Sequence, residues 1–226
     1  MFTIPALNTE GESLDNLLLN LEWAWINSEA SFELEEFKAL KAESISLDRR
    51  FAEWENSRVP EFKPTVVGHV GRSKYESEIS VAYWQGKVDT YLDLYVASVW
   101  NIFRMARLLL ATLIVKLSDA LGSDDSCVGP LHTANRIVED IVASIPYHLV
   151  DNLPVFLDEL ASSTEITDPG KSLGGLLLMH PLFVASTMPF LPRNTREYMR
   201  RCLTWIGSNM GLDQASLLAK VRKAGR

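Results

Sequence analysis

Cysteine is nearly missing from this chain: 226 residues hold two, Cys127 and Cys202, with no CxxC and no paired histidine spacing. That excludes a disulfide framework, points to no metal site, and fits a reducing compartment. An excess of positive charge is missing too. Lys and Arg number 22 against 29 Asp and Glu, a formal net charge of -7, so the surface as a whole repels phosphate backbones and direct nucleic-acid binding is not expected. The N-terminal MFTIPALNTE has no basic segment followed by an apolar stretch, which argues against a secretory signal and for an intracellular protein. There is no nucleophile elbow, Gly-rich phosphate loop, HExxH or metal-spaced acid cluster, and GHVGR at 68–72 is too short and has no strand before it. Chemistry that needs a triad, a metal or a nucleotide is thereby excluded, and no cofactor is expected. Runs of alternating β-branched residues bounded by turn signals are absent as well, which removes the β-rich folds.

What remains is helical spacing. The composition is 47% hydrophobic, enough to fill one large helical core in a single domain spanning residues 1–226. Leu14, Leu17, Leu18, Leu21 and Trp25, then Phe37, Leu40, Ser44, Leu47, Phe51 and Trp54, recur every three or four residues and predict two amphipathic helices ending before Pro60 and Pro64. Residues 61–74, with Pro64 and two Gly just after Pro60, predict a connector. The longest apolar face runs from Tyr91 to Asp119 and stops at Gly122 and the SDDS run. Pro130 opens a further stripe through Ile137, Ile141 and Ile145, expected to end at Pro146. Residues 151–171 predict a loop with room for one short helix, and 172–187 an apolar helix. Asn194 or Thr195 then caps a helix through Met210, and a last short helix follows Asp213. Ser172 to Pro192 is uncharged for about the length of a bilayer span, but Pro181, Pro189, His180 and the Gly174-Gly175 pair would break a lone lipid-facing helix, so no membrane partner is expected.

Four segments carry a family resemblance in order: YLDLYVASVWNIFRMARLLL (91–110), IVEDIVASIPYHL (137–149), GGLLLMHPLFVAS (174–186) and REYMRRCLTWIGSNMGLDQASLLA (196–219). Together they resemble the C-terminal half of the regulatory domain of fungal zinc-cluster transcription factors, with its Trp-Asn-x-x-Arg helix and its Ile-Gly-x-x-Met-Gly finish. DRRFAEWENSRVPEFKP (48–64) resembles the connector of that family. The resemblance covers about residues 40–220 and implies an all-α, multi-helix array. The cysteines of the family's zinc cluster are missing, as is most of the first half of its helical domain. Met179 and His180 stand where the family usually has an aromatic residue before Pro-Leu.

Certain polar side chains are out of place among apolar runs. Asn101 and Arg104, three apart, share a helix face next to Trp100, with Arg107 one turn on. An Arg this deep either pairs with carboxylates or helix-end carbonyls, or anchors an acidic or enol-bearing ligand. Tyr147 and His148 after Pro146, and His180 before Pro181, are candidates to face a cavity, against the alternatives of dipole complementation and a satisfied core histidine. Arg104, Tyr147 and His180 are thus the candidate catalytic donors, and Trp100, Asn101, His148 and Trp205 the candidate ligand contacts. Trp23, Trp25, Trp54, Trp84 and Trp205 also fit ordinary core packing.

Two functional readings follow. In one, a helical shell without the zinc-cluster head holds an apolar small molecule and acts as a cofactor-independent cyclase or cycloaddition catalyst of fungal natural-product biosynthesis, by proximity and hydrogen bonding. In the other, the chain is a regulatory or ligand-sensing protein that contacts a partner rather than DNA, and acts in the nucleus. The truncation relative to the family tips the expectation towards the first. Self-association as a homodimer is compatible with either.

Overall fold

The computed structural model describes residues 12–29, 34–71, 84–122, 128–162 and 172–221. Cys127, the SDDS run, positions 72–74 of the expected connector, positions 163–171 of the expected loop and most of the N-terminal segment lie outside the described residues. Among the described residues there are eight α-helices and one two-stranded sheet, an all-α fold with a small hairpin-like addition.

Helix α3, Leu94–Ala120, organises the rest. Asp93, in an extended backbone, starts it by accepting a 2.7 Å hydrogen bond from the Val96 N–H, so Tyr91 and Leu92 fall outside the helix. Gly122, at φ +62°, follows its end in the left-handed conformation that glycine adopts without strain. One face of α3 packs on α1 (Leu14–Ser28) and α2 (Leu34–Asn56), where Leu17, Leu47, Phe51 and Trp54 meet Trp100, Phe103, Leu110 and Leu113. The Trp54 and Phe103 rings stack with centroids 5.0 Å apart. The opposite face meets α4 (Val128–Leu149) and α6 (Ser172–Thr187), with α7 (Arg193–Met210) packed on α6, and Leu108 and Ala111 join Ile137, Ile141, Leu178, Leu182 and Leu203 in one core. α8 (Asp213–Lys220) closes that second core through Ala215. A helix shared by two cores must be apolar around most of its circumference. For the same reason α3 is long and apolar enough to cross a membrane, although 67% of its apolar window is buried inside the protein.

Three features depart from the sequence expectations. Thr65–Val70 (β1), expected as connector, pairs antiparallel with Gly86–Thr90 (β2), Thr65 opposite Thr90 and Val70 opposite Gly86. Gly68, which signals a loop, instead lets α5 (Leu153–Ser162) approach: a Cβ there would come within 2.6 Å of Leu157 Cδ2. Phe156 of α5 seals a third, small core with Val70 and Val88. The second departure is Pro146, which does not end α4. Its missing N–H removes one intrahelical bond, but Ile145 and Leu149 on either side are fully buried, and the Val150 N–H still bonds the Pro146 carbonyl at 2.9 Å. Third, α7 begins at Arg193, so Asn194 lies inside its first turn instead of capping it.

The remaining helix boundaries follow the sequence expectation closely: α6 spans 172–187 with Pro181 inside it, and α7 stops at Gly211, φ +69°. Cys202 is buried in the α7 face of the second core, and that burial pushes its thiol up to about 12. Trp54 is buried and Trp25, Trp84 and Trp205 pack half-buried against the cores, but Trp23, also expected in the core, is 55% exposed on α1 with Leu19 and Ile26 on the same face.

Candidate functional site

Asn101, Arg104, Leu108 and Ala111, spaced three, four and three apart, form one stripe of α3. It is apolar towards the α3 C-terminus and polar at the end nearer α4's Ser144. Arg104 is 3% exposed. Its Nη1 donates to the Tyr91 hydroxyl at 2.8 Å and to Asn101 Oδ1 at 2.9 Å, and its Nη2 lies 3.8 Å from Asp89 Oδ2. Asn101 Nδ2 in turn donates to Ser144 Oγ at 3.0 Å, and Ser144 Oγ donates to the Ile141 carbonyl at 2.7 Å. The Trp100 indole N–H is held by the Phe62 carbonyl at 2.7 Å, and the guanidinium sits 5.8 Å and 5.9 Å from the Tyr91 and Trp100 ring centroids. Tyr91 packs edge-on to Tyr147 at 5.1 Å and to His148 at 6.4 Å, and His148 Nδ1 lies 2.9 Å from the Ser144 carbonyl oxygen. Burial pushes the Tyr91 hydroxyl up to about 12, so it stays protonated and donor-capable at neutral pH.

Beside Arg104 lies Asp89, 1% exposed. Lys87 Nζ approaches its Oδ2 at 3.7 Å and Arg104 at 3.8 Å, ion-pair distances too long for hydrogen bonds. Neither Asp89 oxygen accepts a hydrogen bond among the described residues. Burial therefore raises the Asp89 pKa above the ordinary carboxylate value, opposed by Lys87 and Arg104. Arg104 shifts the other way from a simple desolvated cation: burial lowers its pKa, but Tyr91, Asp140 and Asp89 together raise it. The two partners differ because Arg104 has close hydrogen-bond acceptors and Asp89 has only distant cations. Outside this pair the charges alternate. Lys87 pairs with Asp140 at 2.7 Å, Arg136 with Glu55 at 3.1 Å, and buried Arg107 with Glu55 and Asp48, each at 3.0 Å. The result is a chain of ion pairs tying β2, α4, α2 and α3 together around a cleft of about 270 Å³ lined by Lys63, Lys87, Asp89, Trp100, Arg104 and Arg136 among others.

A pH dependence follows from Asp89. Its folded pKa lies above the unfolded value, so its contribution to stability is full below the unfolded pKa and is lost as pH rises through the folded one. In urea denaturation between about pH 4 and pH 7, Asp89→Asn should therefore gain stability relative to the parent as pH rises, then level off. A difference that does not change with pH would show that Asp89 titrates normally.

Five of the seven residues singled out from the sequence come together here: Trp100 and Asn101 meet Arg104, and Arg104, Tyr147 and His148 meet Tyr91. Tyr147 is half-buried and also lines a second cleft of about 370 Å³ beside Val67, Thr90 and Leu153. His180 is not part of the cluster. It is exposed on α6 in line with Leu173 and Leu176, while Met179, Pro181 and Leu182 face inward. Trp205 is likewise elsewhere, half-buried on α7 against the second core. Asp89, Tyr91, Lys87 and Asp140 escaped the sequence reading, whose one clue was that Arg104 required a buried partner. Among the described residues no group of three or more His, Cys, Asp or Glu is placed to hold a metal.

Over 227 aligned residues the sequence is 41% identical to "Transcription factor dbaG" of Emericella nidulans, an alignment that takes in 97% of this chain and 54% of that protein. The chain is similar to a transcription factor. It spans about half the length of that relative. No family model matches the sequence, and no solved structure matches it. In this transcription-factor-like chain the arginines of the Trp-Asn-x-x-Arg helix turn inward: Arg104 and Arg107 are 3% and 4% exposed and bind neighbouring helices and strands instead of forming a basic outer face.

Proposed function

We propose that the chain is a transcription-regulatory helical domain of the fungal zinc-cluster type that acts in the nucleus through a protein partner and does not itself read DNA. The observation that carries this reading is the 41% identity over nearly the whole chain with a protein named as a transcription factor. The ordered motifs at 91–110, 137–149, 174–186 and 196–219 and the net charge of -7 support it. The cleft at Arg104 weighs against an apolar cyclisation chamber, because Glu55, Lys63, Lys87, Asp89, Arg136 and Asp140 surround it with charge. Apolar reactants bind in pockets with mostly apolar walls and a few polar anchors. The test is to fuse the chain to an unrelated DNA-binding domain and measure a reporter carrying the matching sites in a filamentous fungus. A severalfold change in transcription is expected, and it should disappear in a variant that no longer folds. A reporter indifferent to the folded chain would overturn the proposal.

A further inference from the structure

The outer face of α7 gathers positive charge on a chain whose net charge is -7. From Arg193 to Met210 the helix carries four arginines, Arg193, Arg196, Arg200 and Arg201, and a single acid, Glu197. Met199, Leu203 and Ile206 turn into the second core, and the arginines lie on the rest of the circumference, Arg193 and Arg201 exposed, Arg196 and Arg200 half-buried. Glu197 sits among them. It pairs with Arg193 at 2.7 Å, and Arg193, then Arg200 and Arg196, hold its carboxyl below the ordinary value. Among the described residues no other carboxylate comes within ion-pair distance of these four guanidiniums. Arg200 is fixed instead by the Ser186 carbonyl at 2.9 Å, and Arg201 lies 5.9 Å from the Tyr198 ring centroid. The exposed cations of α2 show the usual arrangement, Lys38 beside Glu35 and Arg49 beside Glu53. On α7, Arg196, Arg200 and Arg201 have no such acid among the described residues.

Helix polarity sharpens the excess. The first turn of a helix favours anions and the last turn cations, yet α7 has no acid in its first turn, no side-chain acceptor at its N-cap Pro192, and Arg193 and Arg196 at that end. In the turn just before, Pro189 and Pro192 are exposed and Phe190 is half-buried, which puts an apolar edge next to the charge. We infer that this face docks an acidic, amphipathic segment of a protein partner, its Asp and Glu side chains meeting Arg193, Arg196 and Arg201 and its apolar residues resting on Pro189 and Phe190. Guanidiniums hold carboxylates by bidentate, charge-assisted hydrogen bonds, and complementary charge of this kind sets partner choice and encounter rate. Nucleic acid fits less well, because the acidic surface around a patch of four cations repels a long phosphate backbone. The inference rests on the regulatory reading for the existence of a protein partner, and on α7 for where that partner docks.

The experiment measures binding to the full chain by fluorescence anisotropy. The probes are a labelled peptide of about 15 residues alternating Asp and Glu with Leu and Phe, the same peptide with Asn and Gln for the acids, and a labelled DNA duplex of about 15 base pairs. The acidic peptide should bind at least about tenfold tighter than either, and lose affinity severalfold as salt rises from about 0.05 to 0.5 M. Arg193→Glu/Arg196→Glu should weaken it by about tenfold or more while keeping the parent's helical circular dichroism, since both positions lie at a helix end that favours acids. Lys38→Glu/Arg49→Glu makes the same change in net charge on the exposed side of α2, and should leave the affinity within about twofold. No binding by the acidic peptide would overturn the inference. So would equal losses in the two variants, or the neutral peptide or the duplex binding as tightly as the acidic one. The reporter plays no part, so failure here leaves the regulatory proposal standing. A reporter indifferent to the folded chain, with the acidic peptide bound and the α7 variant weakened, counts against the regulatory proposal alone.

Discussion

Replacing Arg104 by leucine should destabilise the protein by about 3–5 kcal/mol in urea denaturation at neutral pH. That is the usual consequence of removing one partner of a buried ion pair. The loss has two sources. The Tyr91 hydroxyl and Asn101 Oδ1 lose a shared donor at 2.8 Å and 2.9 Å, and Asp89, 1% exposed, keeps only Lys87 at 3.7 Å. For a domain of ordinary stability, about 5–15 kcal/mol, that is a large fraction of the total. The double variant Arg104→Leu/Asp89→Asn separates the sources. It should recover about 1–2 kcal/mol of the loss, since the uncompensated charge is then gone. If the double variant is no more stable than the single, the charge is not what makes Arg104 matter. Arg193→Ala is the contrasting case: its pair with Glu197 lies in solvent, at 85% and 52% exposure, and its removal should leave the denaturation midpoint unchanged.

A second large effect is expected from a single methyl group. Gly174 packs so closely on the C-terminal turn of α4 that a Cβ at this position would overlap the His148 carbonyl. Backbone cannot rotate away as a side chain does, so Gly174→Ala should push α6 off α4 and cost about 3 kcal/mol, the upper part of the range for overpacked cores. The displacement would disturb the same turn that carries Tyr147 and His148, so the contacts at Tyr91 should loosen with it. Gly129, in the first turn of α4, has nothing within 4 Å of its would-be Cβ. Gly129→Ala should be neutral or slightly stabilising, because alanine loses less backbone entropy in a helix. Equal melting temperatures for the two variants would show that the close approach at Gly174 is relieved at no cost.

Much of the helical framework was legible from periodicity. α1, α2, α3 and α6 follow the three-and-four spacing of their apolar residues, and Gly122 and Gly211 stop helices where a left-handed residue is required. The sheet was not legible, because TVVGHV and GKVDT are each too short and too rich in Gly to signal a strand until they are paired. Pro146 misled for a related reason: local chemistry predicts a helix end there, but Ile145, Leu149 and the surrounding core outweigh one missing hydrogen bond. His180 shows a different difficulty. α6 is apolar all round, so its sequence has no polar face to say which side meets solvent, and only packing turns Leu173, Leu176 and His180 outward.

The sequence by itself determined the all-α class, the positions of the long helices, the similarity to a transcription factor, and that Arg104 and Asn101 occupy one face of an apolar helix. These are properties of local periodicity and of motifs read within one stretch of chain. Only the tertiary structure decided which groups answer Arg104. Tyr91 lies thirteen residues before it, Ser144 reaches it through Asn101 from another helix, and Asp89 arrives on a strand that exists only by pairing with β1. The physical reason is that a buried charge specifies that it must be compensated, not by whom. The partner is chosen by how two cores close on either side of α3, and that closure depends on contacts between residues far apart in the chain.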